Sequence, residues 1–516
     1  MILTTVKKFD MCGFIFSKDK EEALFNDAFN ELTFRGPDSD KSISIGGFNL
    51  GHKRLKILDL SDAGAQPMFS HSRKHVILYN GEVYNFQELA LKHGIRLHSD
   101  CDTELIVELY EKIGLGMLPE LNGMFSFVIL NLETREFVVV RDRLGIKPLF
   151  YSFHRGDVIF CSEVSPIKKL LGGTTIDEVG VRQYQKLRTF FRGHTIWNEI
   201  KMFPSGSIYK SSTGRFEKYW ELSLEEQEAP SDDELFQLVK SAVDYRTISD
   251  VPVGCFLSGG LDSSIIAALM KRVETWGVGC SEQNEFEWSQ QVADNLSMPH
   301  NQILVDSGQY RGTMEKMIRV RQEPLSVPNE VLIYLMSRAA KSKNTVVLGG
   351  EGADELFFGY DRIFRWANDN KWDLRDFDTH YSYRKGGDLE VLDYVMEPYR
   401  VSSSSALKTV AKFFQLGHLH GLLRRVDFAS MLASVEARVP FVDHRLVERV
   451  AGVSFNYRMQ NGLVKAPLKR VFRPLVPLGI IERKKVGFPV DLGNMLSIPG
   501  AGYEEFLNLN LEILEN

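Results

Sequence analysis

Two short stretches of this chain combine residue types that could bind phosphate and move protons. The first is "FLSGGLDSS" (256–264), where an apolar, strand-like run enters Ser258-Gly259-Gly260 and an amphipathic helix begins at about Asp262. Paired glycines let the backbone turn sharply and present successive N–H groups. The helix start adds partial positive charge, so the loop is built to take an anion. Hydroxyls of Ser258, Ser263 and Ser264 can add donors. The second stretch, "VVLGGEGADELFFGY" (346–360), repeats the plan of buried strand and glycine turn, then places Glu351, Asp354 and Glu355. Carboxylates at a strand's C-terminal end can hold Mg²⁺ beside phosphates or accept a proton. A third stretch, "KKFDMCGFIFSKD", puts a Met-Cys-Gly ahead of a strand-like run, yet ten residues precede Met11. It poses the question whether Cys12 is a core thiol or a first residue.

The first loop lacks the lysine of GxxxxGK[ST], so it is not a kinase or GTPase loop. A plain connecting turn is the competing reading of a bare SGG. The full SGGxDSS between strand and helix instead matches the loop of enzymes that cleave ATP between its α and β phosphates, forming an adenylate and pyrophosphate.

The elements that must position these residues follow two patterns. Up to about residue 200 the chain offers short strand candidates rich in β-branched and aromatic residues, such as "HVILYNGEVYN", "GMFSFVILNLE" and "EFVVVRD". Helical spacing appears near 20–33 and 102–115, giving an α+β pattern dominated by antiparallel pairing. Residues 221–233 turn acidic with a proline and read as a linker ending in a helix N-cap at Ser231. Beyond it short apolar strands alternate with amphipathic helices, including a long one near 328–342, which implies a parallel sheet. From about 360 onward the pattern is mostly helical.

Composition narrows the function classes. At 516 residues, two or three domains are expected. A net charge of -6 gives no basic face for nucleic acid. No apolar run approaches the roughly 20 residues that span a bilayer. The first ten residues lack the apolar stretch of a signal peptide. Five scattered cysteines without a CxxC pair argue against a disulfide framework or zinc site, so a cytoplasmic protein is expected.

Taken together, the motifs resemble those of the glutamine-hydrolysing asparagine synthetase family, over nearly the whole chain. They occur in family order: "MCGF", "RGPD" (35–38), "GHKRLKILD" (51–59), "GAQPM" (64–68), "NGEVYN" (80–85), "CDTELIVELY" (101–110) and "RDRLGIKPLFY" (141–151). Then follow "SGGLDSS", "GGEGADE", "VEARVPFVD" (435–443) and "RKKVGFP" (483–489). The resemblance implies an αββα N-terminal-nucleophile glutaminase domain over 12–220, a class II glutamine amidotransferase. After the linker, it implies an α/β parallel-sheet PP-loop ATP pyrophosphatase domain over 234–516. Ammonia from the first would travel to the second, where an adenylated carboxylate receives it.

In such a family the nucleophile is an N-terminal cysteine whose own α-amine is the general base. With Met11 attached that amine is an amide and cannot take the proton. Residues 1–11 are therefore expected to be an extension absent from the mature protein, with translation starting at Met11. Propeptide cleavage and an inactive glutaminase are the two other possibilities. The resemblance assigns Cys12, Asn80, Gly81, Glu351 and Lys465 to catalysis: Asn80 and Gly81 as oxyanion donors, Glu351 as proton acceptor and Lys465 as a charge stabiliser. Arg54, Glu82 and Asp102 would bind glutamine. ATP would meet Leu257, Ser258, Gly259, Gly260, Asp262, Ser263, Ser264, Val278, Gly349 and Gly350, with Mg²⁺ on Asp262 and Asp354. A homodimer is usual for the family.

Three departures bear on the acceptor. Gly349 stands where the family usually has Ser, and Phe358 where a Gly is common. The segment 321–338, expected at the acceptor site, lacks the Thr- and Arg-containing signature of the best-known asparagine synthetases. "EPLSVP" resembles a branch that also contains enzymes thought to amidate other carboxylates, including sugar uronates. Aspartate is the leading acceptor; a uronate, a β-lactam synthetase-like cyclisation and a non-catalytic binding role are the alternatives.

Overall fold

The structure is a computed structural model describing residues 12–36, 38–281, 283–484 and 490–515. The expected extension at 1–11, Pro37 of "RGPD" and residues 485–489 of "RKKVGFP" lie outside the described residues.

The first half contains two antiparallel six-stranded sheets. One has the strand order β10-β8-β9-β1-β3-β2, built from β1 (Gly13–Lys18), β2 (Ser39–Ile45), β3 (Phe48–Arg54), β8 (Phe150–Ser152), β9 (Ile159–Cys161) and β10 (Lys201–Met202). The other has the order β12-β11-β7-β6-β5-β4, from β4 (Met68–Phe69), β5 (His75–Val83), β6 (Gly123–Asn131), β7 (Phe137–Arg141), β11 (Ser207–Lys210) and β12 (Arg215–Lys218). Alternation along each strand decides which layer a side chain joins. Phe14 and Phe16 of β1 meet Val76 and Leu78 of β5 in the core between the sheets. Ile15 turns outward to Phe25, Phe29 and Ile167 on the helices Glu22–Asn30 and Val164–Leu171. Ile77 and Tyr79 turn to Leu105, Ile106 and Leu109 on the helix Asp102–Ile113. The central strands of both sheets are thus covered on both faces, the edge strands β2 and β12 staying largely exposed, and the layers run αββα as expected.

The second half holds a five-stranded sheet in the order β15-β14-β13-β16-β17, with every pair parallel. Its strands are β13 (Val253–Phe256), β14 (Thr275–Cys280), β15 (His300–Val305), β16 (Val346–Leu348) and β17 (Glu436–Arg438). From β13 the chain runs outward to β14 and β15, then returns to lay β16 on the other side of β13. Strand order therefore reverses between β13 and β16, and in parallel sheets the crevice at the C-terminal ends of such a pair receives ligands. The segments 257–264 and 349–355 leave the sheet at this point. Between β16 and β17 the chain is mostly helical and includes a π-helical turn, Phe413–His418. Among the described residues no helix is long and apolar enough to cross a membrane.

Buried charge joins the halves. Arg35, fully buried, pairs with Glu163 and with Asp427 at 2.9 Å. Lys147 reaches Asp427 at 3.4 Å and Glu436 at 3.0 Å. Removing Arg35 takes from buried Glu163 its ion pair and leaves Asp427 with Lys147 alone, which costs more than the pair itself contributes. Arg35→Met should lower stability by about 3 kcal/mol or more, read as a shifted urea midpoint.

Candidate functional site

Cys12 stands immediately before β1, half-buried, with its carbonyl accepting from Arg35 Nε at 3.1 Å. The Leu55 N–H donates to its sulfur at 3.3 Å. Burial pushes the thiol up to about 12, against the Leu55 hydrogen bond and the charges of Arg54 and Lys147. In this state, with its nitrogen in a peptide bond, the sulfur is a poor nucleophile.

The end of β5 supplies the next residues. Asn80 and Gly81 lie opposite Ser126 and Phe125 of β6. The Asn80 amide nitrogen is buried and has no hydrogen-bond partner among the described residues. A β-carbon at Gly81 would fall 2.2 Å from the Met124 carbonyl oxygen, so only glycine allows this approach of the two strands. Glu82 is buried, with Oε1 lacking a hydrogen-bond partner and Oε2 3.5 Å from Arg438 Nη2. Asp102 opens the helix Asp102–Ile113 and accepts from the Tyr79 hydroxyl at 2.6 Å and the Val83 N–H at 2.7 Å. Burial still pushes its carboxyl up to about 6, the Tyr79 and Val83 bonds opposing the rise. Arg54 is engaged otherwise than by an open pocket: its two Nη groups donate to the carbonyls of Leu58 (3.2 Å), Asp59 (2.5 Å) and Ser61 (2.6 Å). It shapes the 58–61 loop beside the thiol.

At the switch point of the parallel sheet the loop 257–264 folds on itself. Gly259 has φ +74, and a β-carbon there would meet Trp288 and the Ser289 nitrogen at 2.6 Å. Ser258 Oγ accepts from the Gly260 N–H at 3.2 Å, while Ser264 Oγ donates to the Gly260 carbonyl at 2.7 Å. Ser264 therefore braces the turn from within, fully buried. The helix Leu261–Leu269 starts at Gly260 without a side-chain cap, which leaves its first N–H groups for another acceptor. Leu257 is buried beneath the loop, and Val278 packs its side chain into the core beside Trp276.

Gly350 brings the second loop against the first: a β-carbon there would lie 3.0 Å from Asp262 Cβ and 3.2 Å from the Ser263 nitrogen. Asp262 and Asp354 converge on Lys465, whose Nζ is 2.5 Å from Asp262 Oδ2 and 2.7 Å from Asp354 Oδ1. Burial works against the lysine's charge, but the two carboxylates outweigh it and hold the ammonium above its usual range. Asp262 and Asp354 are hard oxygen donors of the kind Mg²⁺ takes beside phosphates, and in this structure the Lys465 ammonium stands between them. Glu351 folds back over the strand end, where a β-carbon at 349 would sit 2.3 Å from its Oε2. Glycine rather than serine at 349 leaves room for that carboxylate. Glu351 Oε2 is buried and without a hydrogen-bond partner among the described residues. Burial raises its carboxyl, with Asp262 adding to the rise and Arg425 opposing it. Phe358, at φ +56, has left the glycine pattern for packing: its ring stacks on Phe364 at 4.1 Å.

Several residues beside these sites carry no signal of their own in the sequence. Arg425 Nε is buried without a hydrogen-bond partner among the described residues. Its charge acts on both Glu351 and Tyr360. Tyr360 donates to Glu355 Oε1 at 2.6 Å, and Tyr381 bonds His418 Nδ1 at 2.9 Å at the end of the π-helical turn. Arg438 and Glu436 lie within the quoted "VEARVPFVD", yet only the fold shows them facing Glu82 and Lys147. The segment 321–338 is less open than expected. Arg321 is paired with Glu323 and Glu330, all three buried, and Glu330 Oε1 accepts from Ser326 and Val327.

The two sites share one apolar core. Cys12 packs against a cluster containing Met124, Ile146 and Val439, and the same cluster includes Leu257 and Leu348 at the base of the second site.

Comparison with known proteins matches residues 11–220 to the glutamine amidotransferase domain and residues 234–506 to asparagine synthase. Asparagine synthetase (glutamine-hydrolyzing) 1 of Bacillus subtilis is 28% identical over 562 residues, covering 94% of this chain and 88% of its own. Asparagine synthetase B (glutamine-hydrolyzing) of Escherichia coli is 28% identical over 493 residues, covering 90% and 78%. Putative asparagine synthetase (glutamine-hydrolyzing) 2 of Methanocaldococcus jannaschii is 31% identical over 392 residues, covering 68% and 76%. With both of its matched regions carrying the geometry described above, the chain belongs to the asparagine synthase family, a glutamine amidotransferase domain preceding the synthase domain.

Proposed function

We propose that the protein converts aspartate to asparagine with glutamine as nitrogen donor and ATP as activator. The observation that carries this reading is the convergence of Asp262, Asp354, Lys465 and Glu351 on an uncapped helix N-terminus at the switch point. There the acceptor carboxylate attacks the α-phosphorus of ATP, forming the acyl-adenylate and releasing pyrophosphate. The loop N–H groups and Lys465 balance the phosphate charge. Asp262 and Asp354 would hold Mg²⁺, which screens the phosphates when bound. Ammonia then attacks the acyl carbon, Glu351 takes a proton, and AMP leaves.

Ammonia comes from glutamine at the first site. Cys12 attacks the side-chain amide and its free α-amine accepts the thiol proton. The Asn80 amide and the Gly81 N–H stabilise the oxyanion, and water releases glutamate. The unpartnered Asn80 nitrogen supports that role. Glu82 and Asp102 take the α-ammonium of glutamine. The apolar cluster between the sites suits passage of neutral ammonia. Because Asp102 is pushed up to about 6, it is a neutral acid below that pH and cannot pair with an ammonium. Glutamine affinity should therefore fall about tenfold per pH unit below 6, and Glu82, which burial pushes well above the usual carboxylate range, should extend the dependence upward, measured calorimetrically from pH 5 to 8.

Aspartate also carries an α-carboxylate, and Arg425 is the cation available to meet it. Arg425→Met should raise the KM for aspartate about tenfold while leaving pyrophosphate release measurable at saturation. A sugar uronate as acceptor is the second reading, on the resemblance of "EPLSVP" (323–328) to a branch with such enzymes. Pyrophosphate release with ATP, Mg²⁺ and ammonium, with and without aspartate, tests the proposal. Aspartate-dependent release with asparagine formed supports it; release that answers only to a uronate replaces it.

A further inference from the structure

Arg438 belongs to the second half by position but reaches the first half's site. It ends β17, in register with Leu348 of β16, and its carbonyl accepts from the Gly349 N–H at 2.9 Å. Its side chain is fully buried and fixed at three points. Nε donates to Glu436 Oε1 at 2.8 Å, and Nη1 donates to the carbonyls of Arg246 (3.0 Å) and Ile248 (2.6 Å). Nη2 has no hydrogen bond and lies 3.5 Å from Glu82 Oε2. The guanidinium carbon stands 5.5 Å from the centre of the Tyr84 ring, two residues beyond Glu82.

This arrangement divides the Glu82 carboxylate between two tasks. Oε2 faces the guanidinium, and Oε1 is left buried without a hydrogen bond. A buried carboxylate lacking a cation is driven to its neutral form, which cannot pair with an ammonium. Burial indeed pushes Glu82 upward, and Arg438 is the first influence opposing it.

We propose that Arg438 is a positioning residue of the glutaminase site: anchored to the synthetase sheet, it holds the Glu82 carboxylate so that Oε1 receives the α-ammonium of glutamine. This rests on the reading that Glu82 binds glutamine. It also means that the first site is completed by a strand whose neighbour carries Gly349, two residues from Glu351. The glutamine pocket and the adenylation pocket then share one backbone contact.

The test is calorimetric titration of the full-length chain with L-glutamine, for wild type, Arg438→Gln, Arg438→Lys, Glu82→Gln and the double variant Arg438→Gln/Glu82→Gln. Arg438→Gln should weaken binding about tenfold or more, and Arg438→Lys, which keeps a cation, should recover part of that loss. In the Glu82→Gln background, Arg438→Gln should add less than about twofold, because its effect runs through Glu82. Wild-type affinity in both Arg438 variants, or fully additive losses in the double variant, overturns the inference while leaving Glu82 as a glutamine ligand. Wild-type affinity in Glu82→Gln overturns the role of Glu82 itself. Thermal unfolding is followed in parallel, and if Arg438→Gln does not fold, Arg438→Lys decides: unchanged affinity there overturns the proposal.

Discussion

Cys12→Ala should abolish glutamine-dependent product, by about a thousandfold or more, and leave ammonium-dependent product near the wild-type rate. On the proposed reading, the Cys12 sulfur is the atom that bonds to the glutamine amide carbon. Its activation requires a base, and with the thiol pushed up to about 12 almost none is ionised at neutral pH. An α-amine with a pKa near 8 supplies that base once Cys12 is the first residue. A chain that retains Met11 should therefore behave like Cys12→Ala toward glutamine and like wild type toward ammonium. Intact mass, measured on the same sample as both rates, separates the two states. Loss of the ammonium route in Cys12→Ala would contradict a scheme with two separate sites.

Glu351→Gln should reduce product from either nitrogen source by roughly a hundredfold to ten-thousandfold. The carboxyl lies at the end of β16, raised by burial, which suits a group that must pick up a proton as ammonia adds. Glutamine has nearly the same shape but cannot accept that proton. The substitution also removes a buried, unbonded carboxylate oxygen, so the urea midpoint should hold or rise while the rate falls. A rate that stays within threefold of wild type would assign the proton to another group.

The strand–turn–helix geometry at 253–269 was legible because its logic is local. Strand, two glycines and helix start lie within nine residues, and Gly259 turns at φ +74 as such a loop demands. The αββα layering was legible from alternation, since β1 sends Phe14 and Ile15 to different cores. What the sequence hid is contact between distant residues. Lys465 lies 203 positions from Asp262, and as an isolated lysine it reads as surface. Arg54 has the type expected of a carboxylate ligand, and only the fold shows its Nη groups also donating to three backbone carbonyls of the 58–61 loop. Ser264 has a hydroxyl suited to phosphate, yet helical geometry places it under the Gly260 carbonyl. Arg425 stands in no quoted motif and Arg438 stands in "VEARVPFVD", and the contacts of both emerge only from the topology.

The buried ion cluster between the halves also has a consequence in time. Arg35 and Asp427 are 392 residues apart, so a growing chain holds the arginine, with Lys147, long before Asp427 and Glu436 exist, Glu163 alone arriving earlier. At typical synthesis rates of about 5–20 residues per second, the gap is roughly 20–80 s. During that interval Arg35 has Glu163 but not Asp427, and Lys147 has neither Asp427 nor Glu436. A ribosome-bound chain halted before Asp427 should be cut readily by protease near Arg35 and Lys147, and one halted after Arg438 should resist. Glutamine hydrolysis should likewise be detected only in chains halted after Arg438.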